Sequence, residues 1–267
     1  WHPEACVDDT TFEDLIAAHR LIADVVSFKG PHINHLTPRT LDIDAAQADM
    51  VAQGLPAKAV VEGPPRRKCP ILLRQTAFKA LNEAIRFQAG DGWQEGQHTA
   101  RFGEIEQRGV ALTPKGRAFY DQLLAEVRAD ILPAADGSNA ADYVERLEEV
   151  FKAFPDTWRE LHDQDLAYFK YASGSGSAVG TGLNALLDAG ALTISPIIYE
   201  DFLPVSAAGI FQSNLGDEAR SDSQAASSRS AFEAALGKSV TDEFALYEAM
   251  QAASYTAALE QLSTRVA

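Results

Sequence analysis

A short polar stretch, RFGEIEQRG at residues 101–109, decides how the rest of this chain is interpreted. Alternate side chains of a strand point to the same side. One face would therefore carry Phe102, Glu104, Glu106 and Arg108. Such a row fits either a solvent-exposed edge strand with paired charges or the polar inner face of a cupped sheet. The inner face would bind a divalent metal through Glu104, with Glu106 and Arg108 supporting that ligand.

A second stretch, HINHLTPRTLDID at residues 32–44, offers the nitrogen ligands that such a site needs. His32 and His35 are three positions apart, so on one regular strand they would point to opposite faces. Two imidazoles and one carboxylate, with the other positions left open, form the ligand set of many Fe(II) oxygenases. The two stretches therefore indicate two thirds of such a site. Spacing alone leaves open which histidine and which glutamate belong to it.

The composition is that of a globular protein with an acidic surface. The 267 residues include 23 Lys and Arg against 38 Asp and Glu, which gives a net charge of −15. Such a surface repels phosphate backbones, so we expect no nucleic-acid partner, although a basic pocket could still admit a small dianion. No apolar run approaches the roughly 18 residues that a membrane helix needs, so we expect no membrane association.

The cysteines and glycines indicate neither a disulfide framework nor a nucleotide loop. Cys6 and Cys69 lack the CxxC spacing of a zinc knuckle. We expect two free thiols in a reducing cytosol and therefore a cytoplasmic protein. The glycine-rich stretch 173–182 lacks the Lys-Ser/Thr ending of a phosphate-binding loop, so it predicts a structural loop.

Periodicity and turn residues predict an α+β fold. The predicted helices cover residues 11–27, 78–87, 114–128, 140–154, 156–171 and 241–262. The predicted strands cover residues 69–76 and 97–107 and part of 193–205, with a turn at 90–93 and a surface loop at 217–230. Thr113 is the expected N-cap of the third helix, and Pro114 is its first residue.

Four longer segments carry a resemblance to a known family. They are HINHLTPRTLDID (32–44), EGPPRRKCPILLRQTAFKAL (62–81), HTARFGEIEQRGVALTPKGRAFYD (98–121) and YEDFLPVSAAGIFQSNL (199–215). Together they resemble the 2-oxoadipate dioxygenase/decarboxylase family, also known as 2-hydroxyglutarate synthase, of the vicinal oxygen chelate superfamily. The resemblance runs from about residue 1 to 215. It implies a vicinal-oxygen-chelate-like cupped antiparallel β-sheet with surrounding helices.

The resemblance also implies which residues form the site. The family histidine that is followed by Leu-Thr-Pro matches His35, and the family glutamate matches Glu104, so these two are the implied metal ligands. The pattern of Phe102–Arg108 is similar, too, to the last strand of 4-hydroxyphenylpyruvate dioxygenase, whose glutamate binds iron. Val205 and Ser206 match the region that lines the substrate pocket in the family.

The implied activity is an Fe(II)-dependent conversion of 2-oxoadipate and O2 to 2-hydroxyglutarate and CO2 in lysine catabolism. By analogy with hydroxymandelate synthase, oxidative decarboxylation would come first and hydroxylation of the shortened chain would follow. The expected partners are thus a small 2-oxo dicarboxylic acid and O2, and the oligomeric state is left open. The alternatives are a metal-dependent isomerase or hydrolase on the same fold, or an inactive metal-binding fragment.

One feature of the family pattern is missing from this sequence. The first family histidine lies in an upstream HGxxR segment, whose arginine grips the substrate carboxylate, and these residues contain no such segment. We therefore expect residues 1–267 to form a single metal-binding α+β domain that lacks the N-terminal part of the family pattern. His98 or His32 could in principle act as a substitute ligand, although metal geometry is strict.

Three arginines are candidates for binding the carboxylate of a substrate: Arg39, Arg74 and Arg108. Guanidinium groups suit this role because they bind carboxylates through two parallel hydrogen bonds. Ion pairs within a protein use the same geometry. We expect at least two of the three to form surface or structural salt bridges instead.

Overall fold

The computed structural model describes most of the chain. The described residues are 3–18, 23, 26–29, 38–55, 57–77, 81–100, 104–134, 137–177, 182–200, 233–234, 236–239 and 241–266. The helices are α1 (Asp9–Ala18), α2 (Ile43–Ala52), α3 (Pro114–Asp130), α4 (Ala140–Phe151), α5 (Trp158–Asp163), α6 (Leu183–Asp188) and α7 (Glu243–Val266). The strands are β1 (Leu73–Ala77), β2 (Leu81–Ala89), β3 (Gly92–Ala100), β4 (Glu104–Arg108), β5 (Phe169–Ser173) and β6 (Leu192–Pro196). The α+β class predicted from the sequence is confirmed.

The described strands pair antiparallel in three two-stranded sheets, β1 with β4, β2 with β3 and β5 with β6. In the first of these sheets, Gln75 lies opposite Glu106 and Ala77 lies opposite Glu104. Directly opposite residues project from the same face, so Gln75 belongs to the face that carries Glu106 and Arg108. A single cupped sheet stays a prediction, because the described strands form separate pairs.

The polar face of β4 points into the protein. The side chains of Glu106 and Arg108 are only 8% and 11% exposed, and Gln75 is 7% exposed. The alternative of a solvent-exposed edge strand is therefore wrong for this part of β4. Polar groups buried in this way must be satisfied by one another or by a ligand, because an unpaired buried charge is costly.

Two distant segments join β4 and the residues that follow it. The Glu106 N–H donates to the Pro38 carbonyl over 3.0 Å, and the Thr40 N–H donates to the Glu106 carbonyl over 2.8 Å. After the strand ends, the Tyr199 N–H donates to the Gly109 carbonyl over 2.8 Å. Three parts of the chain that are far apart in sequence thus meet at β4: residues 38–40, 73–77 and 197–199.

The largest hydrophobic core holds the chain that leaves β4. Its buried side chains come from α3, α4 and their neighbours and include Val110, Leu112, Leu123, Val127, Leu147, Phe151, Leu161 and Phe169. Close packing requires glycine at Gly109, where a Cβ would lie 2.1 Å from the Pro70 carbonyl carbon. Helix α3 begins as predicted, since Thr113 Oγ1 accepts a hydrogen bond from the Gly116 N–H over 3.0 Å and Pro114 is the first helical residue.

The last helix, α7, covers β5. Gln251 Oε1 accepts a hydrogen bond from the Phe169 N–H over 2.8 Å, and Ser254 Oγ accepts one from the Tyr171 N–H over 3.0 Å. Apolar packing around Leu262 adds to these bonds. No described helix, α7 included, is both long enough and apolar enough to cross a membrane.

The helix predicted over residues 78–87 is wrong, since Leu81–Ala89 is strand β2. Its alanines, leucine and glutamate favour a helix locally. Burial nevertheless alternates along the strand, with Ile85 and Phe87 buried and Arg86 exposed. Pairing across the β2–β3 hairpin and packing of the two buried side chains therefore outweigh the helix propensity.

Two further predicted boundaries differ from the structure. The strand predicted over residues 97–107 is divided between β3 and β4. The helix predicted over 156–171 ends at Asp163, because Asp165 takes a left-handed φ of 54°, which interrupts helical hydrogen bonding. Confirmed within a few residues are the first helix as far as Ala18, the turn at 90–93, the helices over 114–128, 140–154 and 241–262, and the strands in 69–76 and 193–205. The loop predicted at 217–230 lies outside the described residues.

One ion pair, between a buried arginine and a half-buried aspartate, holds α2 against β1. Arg74 is 6% exposed, and it donates Nη1 to Asp44 Oδ2 over 2.6 Å and Nη2 to Asp44 Oδ1 over 2.8 Å. Its Nε donates to the Pro64 carbonyl over 2.8 Å. The hydrogen bond from Arg74 lowers the pKa of Asp44 below its usual value of 3.8.

We predict that Asp44→Asn lowers the free energy of unfolding by about 3 kcal/mol, because it removes the charge that balances a buried guanidinium. A carboxyl group whose pKa is lower in the folded state contributes stability above its unfolded pKa and loses it as the pH falls through its folded pKa. Urea denaturation should therefore show the full difference between wild type and variant at about pH 7, narrowing toward about pH 3. Asp49→Asn, on the exposed side of α2, is the matched control and should cost under about 0.5 kcal/mol. Equal costs for the two variants would contradict the prediction.

Candidate functional site

The structure covers the four predicted site residues unevenly. Glu104 is the first residue of β4, and its backbone is described while its side chain is not. His35, Val205 and Ser206 lie outside the described residues, so their roles stay predictions. The described residues nearest to them in sequence are Pro38, three residues after His35, and Glu200, five residues before Val205. The site can therefore be built from the side chains around Glu104.

Four charged side chains close to Glu104 in the fold form what we term the ionic ring: Arg39, Glu106, Arg108 and Glu200. Arg108 donates Nε to Glu106 Oε1 over 2.7 Å and Nη2 to Glu106 Oε2 over 3.1 Å. Arg39 donates Nε to the same Oε1 over 3.1 Å. Guanidinium groups thus engage both oxygens of Glu106, which makes this carboxylate a poor metal ligand.

Glu200 closes the ring. Its Oε2 accepts hydrogen bonds from Arg39 Nη2 over 2.7 Å and from Arg108 Nη1 over 3.0 Å. The Tyr247 hydroxyl holds the Glu200 backbone, accepting from its N–H over 2.8 Å and donating to its carbonyl over 3.1 Å. The hydrogen bond from Arg39 to Glu200 also holds the pKa of Arg39 above its usual range. Two carboxylates therefore balance two guanidinium groups.

The ring has a buried side and an open side. Glu106 and Arg108 are almost enclosed, whereas the side chains of Glu200 and Arg39 are 29% and 53% exposed. Coulombic attraction is weaker where water reaches a pair. Removing one partner of the inner pair should therefore cost more stability than removing one partner of the outer pair.

The three arginines considered as substrate partners all bind carboxylates of the protein itself. Arg39 and Arg108 belong to the ionic ring, and Arg74 pairs with Asp44. The prediction that at least two of them form salt bridges is confirmed. Their guanidinium groups are occupied before any substrate enters.

Gln75 is a site candidate that sequence reasoning missed. It is buried on the face that carries Glu106, and its Oε1 accepts no hydrogen bond within the described part of the chain. Buried amide oxygens are normally paired, so this atom marks a place for a ligand or a water molecule. The signal that could have found Gln75 is strand pairing, which sets it opposite Glu106.

The two histidines within the described residues take part in packing. His98 is 6% exposed, and its ring centroid lies 5.3 Å from that of Phe12 and 5.7 Å from that of Phe28. His162 Nε2 lies 2.9 Å from the Tyr171 hydroxyl. The described residues contain no group of three His, Cys, Asp or Glu that could hold a metal. His98 as a substitute ligand stays a prediction, because His35 and the side chain of Glu104 lie outside this search.

A buried polar strand face with an unpaired amide oxygen and a charge-balanced ring thus lie together in an α+β fold. Comparison with known proteins identifies the class of protein. The sequence profile of the 2-oxoadipate dioxygenase/decarboxylase family matches residues 1–214. The chain belongs to this family.

Relatives with established names extend the match along nearly the whole chain. The 2-oxoadipate dioxygenase/decarboxylase of Pseudomonas putida is 54% identical over 270 residues, which cover 98% of this chain and 58% of that protein. The protein of the same name in Escherichia coli K12 is 52% identical over 255 residues, covering 93% and 55%. The crystal structure of the Pseudomonas putida hydroxyglutarate synthase in complex with 2-oxoadipate matches with a TM-score of 0.81 and 50% identity, covering 98% of this chain and 58% of that one. This chain thus spans little more than half the length of these relatives.

We predict that Glu106→Gln lowers the free energy of unfolding by about 3 kcal/mol, because the enclosed Arg108 loses its main counter-charge. Urea denaturation measures this cost. The matched control is Glu126→Gln on α3, whose carboxylate pairs with Arg146 at the surface and should contribute under about 1 kcal/mol. A Glu106 variant as stable as the control would show that the ring is not a stabilising element.

Proposed function

We propose that the protein containing this chain is an Fe(II)-dependent dioxygenase that converts 2-oxoadipate and O2 to 2-hydroxyglutarate and CO2, as a step of lysine catabolism. The observation that carries the proposal is the buried polar face of β4, which lies within the stretch matched by the family profile. The names of the relatives support the reaction, and the complex of the Pseudomonas putida synthase supports the substrate. A cytoplasmic location belongs to the same proposal and rests on two free cysteines.

We assign His35 and Glu104 as two of the metal ligands. The contacts of Glu106 support this choice, because its oxygens are engaged by arginines and Glu104 is the other carboxylate of that face. The position of Pro38 supports it as well. Pro38 is hydrogen-bonded to Glu106, and a chain of three residues keeps the Cα of His35 within about 11 Å of the Cα of Pro38.

The donor set fits iron. Imidazole nitrogen and carboxylate oxygen are the ligand types of non-haem Fe(II) oxygenases, and the described face of β1 and β4 carries no thiolate. Bound Fe(II) would supply the activation of O2 next to the substrate. The cupped sheet of the superfamily is part of this proposal, with β1, β4 and residues 38–40 as a section of its wall.

The chain's own side chains would bind and orient the 2-oxo acid. Val205 and Ser206 would line the pocket, and the amide of Gln75 would meet the oxygen atoms of the bound molecule. A glutamine amide can present its NH2 or its oxygen. It can therefore donate to a carboxylate or keto oxygen of the substrate and accept from the hydroxyl group of the product. Burial of this amide keeps competing water away from the contact.

The ligand assignment predicts that His35→Ala and Glu104→Ala each abolish both iron binding and turnover. The full-length protein would be loaded with Fe(II) anaerobically, its iron content measured by elemental analysis, and its O2 consumption with 2-oxoadipate followed by an oxygen electrode. Glu126→Ala, which removes a surface carboxylate, and His162→Gln, which removes a packed histidine, should both retain iron. Iron retained in the His35 and Glu104 variants would contradict the assignment.

The reaction itself is tested by the wild-type protein. We expect O2 uptake matched by 2-hydroxyglutarate and CO2 when 2-oxoadipate is added. If no 2-oxo acid supports O2 uptake, and the protein loaded with zinc or nickel shows isomerase or hydrolase activity, the alternative chemistry on this fold would be favoured.

The role of Gln75 predicts a separate result. Gln75→Leu should raise the KM for 2-oxoadipate about tenfold, because a buried hydrogen-bonding partner of the ligand is worth about 1–3 kcal/mol. Gln88→Leu, at an exposed position of β2, is the control and should leave KM unchanged. Equal KM values for wild type and the Gln75 variant would remove Gln75 from the site.

A further inference from the structure

We infer that the ionic ring is a positioning device, in which Arg39 and Glu200 hold residues 38–40 and 197–200 against β4, the strand to which Glu104 belongs. This inference rests on the proposed function, since it concerns His35, Glu104 and Val205. It assigns no chemical step to the ring. Its members are positioning residues that act through the backbone segments to which they belong.

The ring connects parts of the chain that no single element joins. Arg39 follows His35 by four residues, Glu106 follows Glu104 by two, and Glu200 precedes Val205 by five. Each arginine of the ring binds both glutamates, so displacement of one segment strains its contacts to the other two. This closed arrangement distinguishes the ring from a chain of separate ion pairs.

Backbone contacts convert the ring into fixed positions. The hydrogen bonds between residues 38–40 and Glu106 set the register of this segment beside β4. The Tyr247 hydroxyl fixes both the N–H and the carbonyl of Glu200. The side-chain ring therefore fixes segments whose backbones are already aligned. A shift of the guanidinium of Arg39 would displace both Glu106 on β4 and Glu200.

The simpler explanation is an ion-pair cluster that only adds stability. The open side of the ring separates the two explanations. Arg39 is more than half exposed, so removing its charge should cost little global stability. A positioning role nevertheless predicts a clear local effect at residue 40 and at the metal site. If the cluster only adds stability, exchange at residue 40 and metal binding should change no more than the loss of global stability accounts for.

The matched control comes from the same chain. Arg146 is 34% exposed and bridges two carboxylates, Glu126 over 3.1 Å and Asp130 over 2.7 Å. It joins α4 to α3 and has no contact with the ring. Arg146→Gln removes the same charge and the same kind of two-carboxylate bridge as Arg39→Gln does.

The first experiment measures amide hydrogen exchange in the metal-free full-length protein, for Arg39→Gln, Glu200→Gln and the double variant. We expect the Thr40 amide, which donates to Glu106, to exchange about tenfold faster in each single variant. The double variant should show little further increase, because either change already opens the ring. Arg146→Gln should leave Thr40 unchanged, and every variant should keep its Tm within about 3 °C of wild type.

The second experiment titrates the same proteins with Co(II) as a spectroscopic probe of the metal site. We expect affinity about tenfold weaker and an altered visible spectrum for Arg39→Gln and Glu200→Gln, as for other residues that orient ligands. Arg39→Lys, which keeps the charge but lacks the rigid planar fork through which Arg39 donates from Nε and both Nη atoms, should recover only part of the affinity. Arg146→Gln should match wild type in both affinity and spectrum.

The outcomes distinguish this inference from the function on which it rests. Thr40 exchange that stays at the wild-type rate, or Co(II) binding unchanged in both ring variants, overturns the positioning role. Full recovery by Arg39→Lys also overturns it, because charge alone would then suffice. Wild-type protein that consumes no O2 with 2-oxoadipate overturns the proposed function instead, whatever the exchange rates show.

Discussion

The structure depends on one electrostatic constraint, the burial of a glutamate and an arginine on the inner face of β4. Enclosed charges are tolerated only when they are paired and hydrogen-bonded. Glu106 and Arg108 satisfy each other and are completed by Arg39 and Glu200. Charge balance brings two remote residues to this strand. Arg39 lies 67 residues before its partner Glu106, and Glu200 lies 92 residues after its partner Arg108. A polar site face and the fold that supports it therefore have one common cause.

Local sequence signals predicted the elements whose ends are marked by chemistry. Thr113 and Pro114 start α3 at the expected residue, and the turn at 90–93 joins the strands of a hairpin. The signals failed where tertiary contacts decide. The helix formers of residues 81–89 become a strand because Ile85 and Phe87 pack into a buried cluster with Phe12 and Phe28. The helix predicted through residue 171 stops early at the left-handed Asp165, and the residues that follow form β5, which pairs with β6 and bonds to α7.

The sequence predicted which types of residue lie at the candidate site better than it predicted which residues contact one another there. Strand parity correctly grouped Glu106 with Arg108, and their burial shows that this face is turned inward. Parity could not reveal that Glu106 is engaged by two guanidinium groups, because one of them arrives from residue 39. It gave no sign of Gln75 either. Register across β1 and β4 is set by side-chain packing, and a single strand sequence does not contain it.

The sequence by itself determined the α+β class, the polar row on β4 and the membership of the 2-oxoadipate dioxygenase/decarboxylase family. These features are local or are distributed along the chain as motifs, so they can be recognised without coordinates. Only the tertiary structure decided that Arg39, Arg74 and Arg108 bind the protein's own carboxylates and that Gln75 shares the face of Glu106. The physical reason is that charge pairing and strand register act between residues that are close in space and remote in sequence.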